Sequence, residues 1–208
     1  MAKYFEVVDQ PEKADFAICL IQEPSTGVGY STDDVRKGGN GYMPFSLQYD
    51  DYKATGARAV SIAGGDPMEK TTNRSFKDKT ITTYNRDDMV MVAEARKKMG
   101  GKPVIVIVET GRPIVLAEIE PFADALLISF NVQHQALLDI ISGKSEPSAL
   151  LPMQMPADMA TVEEQLEDVP HDMRCYTDAD GHSYDFAFGL NWSGAINDSR
   201  VKKYSKQN

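Results

Sequence analysis

The sequence predicts an α/β protein: a mostly parallel sheet flanked by helices in a three-layer sandwich, with an antiparallel extension at the C-terminal end. Three observations lead to this expectation. Val104 to Val108 is an unbroken β-branched run with no polar alternation, the pattern of a strand buried on both faces. Ala125, Leu126, Leu127, Ile128 and Phe130 make a second run of that kind. The connection between the two holds about a dozen residues, too long for a hairpin and enough for a crossover.

The other elements follow in chain order. Phe5 to Val8 reads as a short strand, and Pro11 marks a turn or the first turn of a helix. Ala14 to Ile21 is a largely apolar strand of the parallel type, with Cys19 inside it as a buried thiol. Ala-Asp followed by apolar residues recurs at Ala123-Asp124, where it again delivers the chain to a strand. Residues 61–67 form a turn cluster, and Lys79 to Tyr84 a short edge strand or extended loop. Asn85 is placed to cap a helix with Asp87 and Asp88 in its first turn, Lys97 and Lys98 in its last, and Gly100-Gly101 as its stop. A further helix spans Val132 to Ser142 and ends at Gly143. Beyond it lie a short alternating strand at Met153–Met155, a weak acidic helix within Asp158–Asp168 and a hairpin turn at Asp178–Gly181. An aromatic stretch from Tyr184 to Trp192 packs on the core.

Composition narrows the function. At 208 residues, one domain over residues 1–198 with a flexible polar tail at 199–208 is expected. Thirty-one acidic against 22 basic residues, net −9, disfavours nucleic acid or an anionic membrane surface as partner. The apolar runs are too short to span a bilayer, and the polar first residues contain no apolar signal core. Two cysteines far apart carry no metal spacing, and Asp178–Gly181 lacks the further carboxylates of a calcium loop, so no metal is expected. No glycine-rich loop joins a strand to a helix as nucleotide binding requires, so no cofactor is expected either.

The informative segment is Glu23 to Ser61. It is rich in glycine and aromatic residues, including Tyr30, Tyr42, Phe45, Tyr49 and Tyr52. A loop of this length in a compact domain is usually functional, and so many rings argue against disorder. Aromatic faces beside Asp, Asn and Arg suit a sugar or another polar ligand, although the rings also serve to pin a loop to its domain. In open parallel sheets ligands bind beyond the carboxyl ends of strands. Here those ends are Gln22-Glu23, Glu109 to Arg112, and Phe130-Asn131 with nearby His134. A Glu109–Arg112 turn pair is the plain structural expectation there.

Four stretches together resemble the C-terminal α/β-sandwich domain of family 3 glycoside hydrolases, the β-glucosidase family. They are Ala14 to Ile18, Lys102 to Pro113 (KPVIVIVETGRP), Ala123 to Gly143, and Pro147 to Pro152 with Tyr184 to Leu190. Ala149, Asp185 and Ala187 depart from the family's usual glycine, proline and glycine, and Ser61 to Thr83 has no matching stretch. The resemblance implies a retaining β-glycoside hydrolase whose nucleophile sits in an N-terminal barrel domain, for which nothing here is long enough. It implies a β-glucoside-like carbohydrate as ligand, the barrel domain as partner, and a periplasmic or secreted setting. It further implies an acid/base carboxylate in the loop after the first central strand. The nearest match to the family's motif there is Thr32-Asp33-Asp34-Val35-Arg36, making Asp34, Asp33 and Glu23 the catalytic candidates. Tyr30, Arg36, Tyr42, Glu109, Arg112 and Asn131 are the candidates for binding sugar. The alternative role is a non-catalytic carbohydrate-binding or docking module.

Overall fold

The computed structural model describes residues 3–61, 68, 73–166, 169 and 171–204. In chain order its elements are β1 (Ala17–Gln22), α1 (Thr32–Arg36), β2 (Tyr52–Lys53), β3 (Thr80–Ile81), α2 (Arg86–Met99), β4 (Val104–Glu109), β5 (Ala125–Ser129), α3 (His134–Ile141), α4 (Met159–Glu164), β6 (Leu190–Asn191), β7 (Gly194–Ala195) and α5 (Ser199–Tyr204). The turn cluster expected at 61–67 (beyond Ser61) and the last four residues lie outside the described residues.

β1, β4 and β5 form a three-stranded parallel sheet in the order β1-β4-β5. Side chains alternate across a sheet, so each strand sends every second residue to the same side. One side gathers Cys19, Ile21, Val104, Val106 and Val108 with Val92 and Met99 of α2 and with Ile114, Leu116, Ile119, Met155 and Tyr184. Each such side chain, once fully buried, contributes roughly 1.5–3 kcal/mol. On the opposite side Ile107 is buried, but Leu20, on the edge strand, is 43% exposed. The sequence expectation of a parallel α/β core is met.

Polar groups fix the amino edge of the sheet. Asp124 accepts from the Val104 N–H at 2.7 Å and from Arg96 at 2.8 Å, tying the start of β4 to α2. Lys102 Nζ donates to the carbonyls of Glu12 and Ala14 at 2.8 and 2.6 Å, which locks the approach to β1.

Several expected elements differ. Phe5–Val8 forms no strand, and Val7 is 71% exposed; β propensity without a partner strand or a buried face makes no ladder. The crossover between β4 and β5 is two 3-10 turns, Leu116–Glu118 and Glu120–Phe122, because Pro121 blocks a continuous α-helix. The helix expected from Val132 begins at His134, since Asn131 takes a left-handed conformation at φ +55. Met153–Met155 forms no strand, although Pro156 bridges Cys175 antiparallel. With a second bridge, Thr177 to Ser183, and the β6–β7 hairpin, this makes up the antiparallel C-terminal extension. The edge strand expected near Lys79 is β3, paired with β2.

Candidate functional site

The carboxyl edge of the sheet brings several of the expected residues together. Gln22, Glu109 and Ser129 end their strands in register and therefore project on one side. Gln22 Nε2 donates to Glu109 Oε2 at 2.6 Å, and His134 Nε2 lies 2.8 Å from Glu109 Oε1. A carboxylate only accepts, so this ring nitrogen carries the proton. The Gln22 hydrogen bond, then that of His134, holds the Glu109 carboxyl below the usual carboxylate range despite some desolvation. Beside them the Ser129 hydroxyl is buried with no hydrogen-bond partner.

Glu23 is held separately. Its Oε2 accepts from the Thr110 hydroxyl and the Gly111 N–H, both at 2.7 Å, and its Oε1 sits 2.7 Å from Arg112 Nη2. Burial works to raise its pKa, but Gly111, Thr110 and Arg112 outweigh it and hold the carboxyl low. The expected Glu109–Arg112 turn pair is thus not formed. Arg112 turns back across the edge to Glu23, and Glu109 pairs forward with His134. Asn131 begins the loop into α3 and is exposed.

The loop after β1 is anchored at both ends. Asn85, expected as a helix cap, makes no side-chain cap bond; its amide donates to the Glu23 carbonyl at 3.0 Å and its oxygen accepts from the Ser25 N–H at 2.9 Å. The fully buried Tyr49 donates its hydroxyl to the Gln22 carbonyl at 2.6 Å. Glu118 accepts from the N–H groups of Tyr49 and Asp50. Burial raises the pKa of Glu118, and those two donors offset the rise only in part.

Within the loop, Asp34 is an internal clamp. Its Oδ2 accepts from Lys79 Nζ and from the Gly41 N–H, each at 2.7 Å. The Lys79 hydrogen bond in particular keeps its carboxyl below the ordinary range, against the desolvation that would raise it. Lys79 also reaches Asn40 Oδ1 and the Tyr42 carbonyl. Tyr30 and Tyr42 form an antiparallel bridge and their rings meet edge-on at 5.7 Å. Ser31 caps α1 by accepting from the Asp34 N–H. Asp33 and Arg36 pair with each other at 2.8 Å on the solvated face of α1, with side chains 69% and 75% exposed.

Lys79, Glu118 and the bridging role of Asn85 were missed in the sequence. Their partners lie far away along the chain, and no local pattern marks them. Among the described residues, no group of three or more His, Cys, Asp or Glu is arranged to hold a metal ion, and no helix is long and apolar enough to cross a membrane.

A parallel sheet with a long, anchored, aromatic loop over its carboxyl edge is the architecture implied by the family resemblance, and sequence comparison agrees. The model of the glycosyl hydrolase family 3 C-terminal domain matches residues 2–192, and the chain belongs to that family. It is 39% identical over 183 residues to the probable beta-glucosidase C of Aspergillus flavus, covering 88% of this chain and 22% of that protein. It is 34% identical over 94 residues to the beta-glucosidase C of Emericella nidulans, covering 45% of this chain and 15% of that protein. The chain therefore matches about a fifth of the longer of these alignments' partner proteins.

Proposed function

We propose that this chain is the C-terminal domain of a retaining β-glycoside hydrolase acting on a β-glucoside-like sugar, with the nucleophile supplied by a barrel domain. The observation that carries the reading is the loop after β1, fastened to the carboxyl edge of a family 3 sheet where Asn85 holds Glu23 and Tyr49 holds Gln22. Retaining hydrolysis needs two carboxyl groups about 5 Å apart, one as nucleophile and one as acid/base. This domain contributes the second.

Among its three candidates the structure favours Asp33. Glu23 and Asp34 are each held ionised by several donors within the domain, whereas an acid/base must hold a proton at working pH. Asp33 is exposed and pairs only across one turn with Arg36. Its carboxyl is the one left accessible to the leaving oxygen of a sugar held by a partner domain. Arg36, Tyr30, Tyr42, Glu109, Arg112 and Asn131 then line or support the sugar's side of the cleft. Glu109, with Gln22 and His134, is suited to accept from sugar hydroxyls.

The test is hydrolysis of an aryl β-glucoside. The 208-residue chain alone is inactive, and a polypeptide joining it to a barrel domain is active. In that polypeptide Asp33→Asn lowers kcat by about 10²-fold or more. Turnover by the isolated chain would refute the missing nucleophile, and unchanged kcat in Asp33→Asn would refute the role of Asp33. Sugar binding without any effect of carboxylate replacement on turnover would favour a binding module.

A further inference from the structure

The C-terminal part of the chain forms a cavity of about 570 Å³ that none of the carboxyl-edge residues lines. Leu150, Leu151, Pro152, Phe186 and Ala187 make its walls, and His171 and Arg200 supply its polar groups. The walls belong to two paired stretches. The Leu151 N–H donates to the Phe188 carbonyl at 2.7 Å, and the Ala187 N–H to the Leu151 carbonyl at 3.0 Å. His171 meets the Phe186 ring edge-on, with ring centroids 5.4 Å apart.

Backbone and sequence both single out this corner. Among the described residues, four other than glycine have a positive φ, and two of them, His171 at +60 and Ala187 at +65, line the cavity. Residues with a Cβ rarely take that conformation, and where they do they cluster at active sites and ligand clamps. Ala187 stands where the family usually has glycine, which would take the same φ without strain. Asp185 stands where the family usually has proline, and its carboxylate accepts from Gln154 Nε2 at 2.8 Å and from the Phe186 N–H at 2.7 Å. A proline side chain accepts neither. The wall at 185–187 is thus set by residues in which this chain departs from the family's pattern.

The lining sets the kind of ligand. Its volume falls in the range of small-molecule sites, roughly 300–1,000 Å³. Aliphatic walls with two polar side chains are a poor match for a sugar, whose many hydroxyls would go unpaired. Arg200 is already balanced by a carboxylate: its Nη2 lies 2.7 Å from Asp198 Oδ2, and its Nε donates to the same group. Its Nη1 donates to the Ser148 carbonyl at 2.7 Å. A guanidinium carries five N–H groups, so some remain for a neutral oxygen, whereas an anion would also meet the charge of Asp198. The partly exposed Phe186 ring offers a flat apolar face. We propose that this cavity binds a neutral aryl alcohol, its ring against Phe186 and the leucines and its hydroxyl on Arg200. The site stands independently of the glycosidase reading, since it shares no residue with the carboxyl edge.

The experiment is titration of the 208-residue chain with 2-naphthol at neutral pH, read by calorimetry and by amide NMR shifts, with 2-naphthoate and glucose as controls. 2-Naphthol should bind saturably with a Kd of about 1 mM or tighter, and the shifts should concentrate at residues 150–152 and 186–188. 2-Naphthoate, the same ring with a charged group, should bind about tenfold more weakly or worse, and glucose should not bind. Phe186→Ala should weaken 2-naphthol about three- to tenfold, and Leu150→Trp, which fills the cavity, should abolish binding. Circular dichroism and a urea midpoint check that each variant is folded, and the wild-type shift map locates the site without any variant. Absence of saturable binding, shifts centred elsewhere, 2-naphthoate binding as tightly as 2-naphthol, or affinity indifferent to Phe186→Ala overturns the proposal. So does sedimentation showing a dimer that Phe186→Ala dissolves and 2-naphthol does not, which would assign the cavity to a second copy of the chain.

Discussion

Arg112 Nη2 lies 2.7 Å from Glu23 Oε1, so the residue that follows the turn after β4 grips the residue that follows β1. With the Thr110 hydroxyl and the Gly111 N–H on the other oxygen, Glu23 joins two neighbouring strands just where the proposed site begins.

That joint makes the fold sensitive to acid. The folded state holds the Glu23 carboxyl below its ordinary value of 4.5. Its contribution is therefore present above that value and lost as pH falls through the lower, folded one. Glu23→Gln should cost about 1–3 kcal/mol at pH 7 and lose less than wild type as pH is lowered below 4.5. Urea midpoints across that range check it; parallel curves for the two proteins would refute the linkage.

Glu118 behaves in the opposite sense. Burial raises its folded pKa, so ionisation costs folded stability as pH climbs from the ordinary carboxyl range toward neutrality. Replacement by Gln removes that cost but also weakens the grip on Tyr49 and Asp50. The stability deficit of Glu118→Gln should be largest near pH 4 and shrink toward pH 7, read from the same urea series. A deficit that grows toward neutrality would contradict it.

Asp34 and Lys79 form the clamp that shapes residues 31–42. Asp34→Ala leaves the Lys79 ammonium and the Gly41 N–H without this acceptor and should destabilise the domain by about 1–3 kcal/mol. Hydrogen exchange should accelerate in that segment while β4 stays protected. Unchanged exchange there would show that the loop does not need the clamp.

Glu109 should act on binding. In a protein joining this domain to a barrel, Glu109→Ala should raise KM for an aryl β-glucoside about tenfold with a smaller change in kcat. Loss of an interaction made equally in ground and transition states has that signature. A fall in kcat with KM unchanged would instead place Glu109 in the chemistry.

The scaffold was legible in the sequence wherever a run of side chains shared one environment. Val104–Val108 is the buried strand its composition predicts, and the charge-graded α2 is the expected helix; Ala125–Ile128 is a strand as well, but on the sheet's edge, with Ala125 exposed and Leu126 to Ile128 half-buried. Phe5–Val8 has the same β propensity yet stays unpaired, because pairing depends on an edge that lies elsewhere in the chain. The candidate site was legible as a place, the carboxyl edge, but not as a set of partners. Sequence proximity suggested Glu109 with Arg112, whereas the fold pairs Arg112 with Glu23 and Glu109 with His134. The Lys79–Asp34 contact, like Tyr84 against Gly27, joins residues whose separation hides any local signal.

The anchoring of the loop by Asn85 and Tyr49 near one end and Glu118 near the other has a practical consequence. The fastenings at residues 22–25 and 49–50 bracket the stretch, while Lys79, reaching Asp34, Asn40 and Tyr42, ties its middle to the chain before β3, so the stretch and Lys79 form one unit. A stretch transplanted from a relative therefore has to bring its own partner for position 79 with it, or it is left unfastened at its centre.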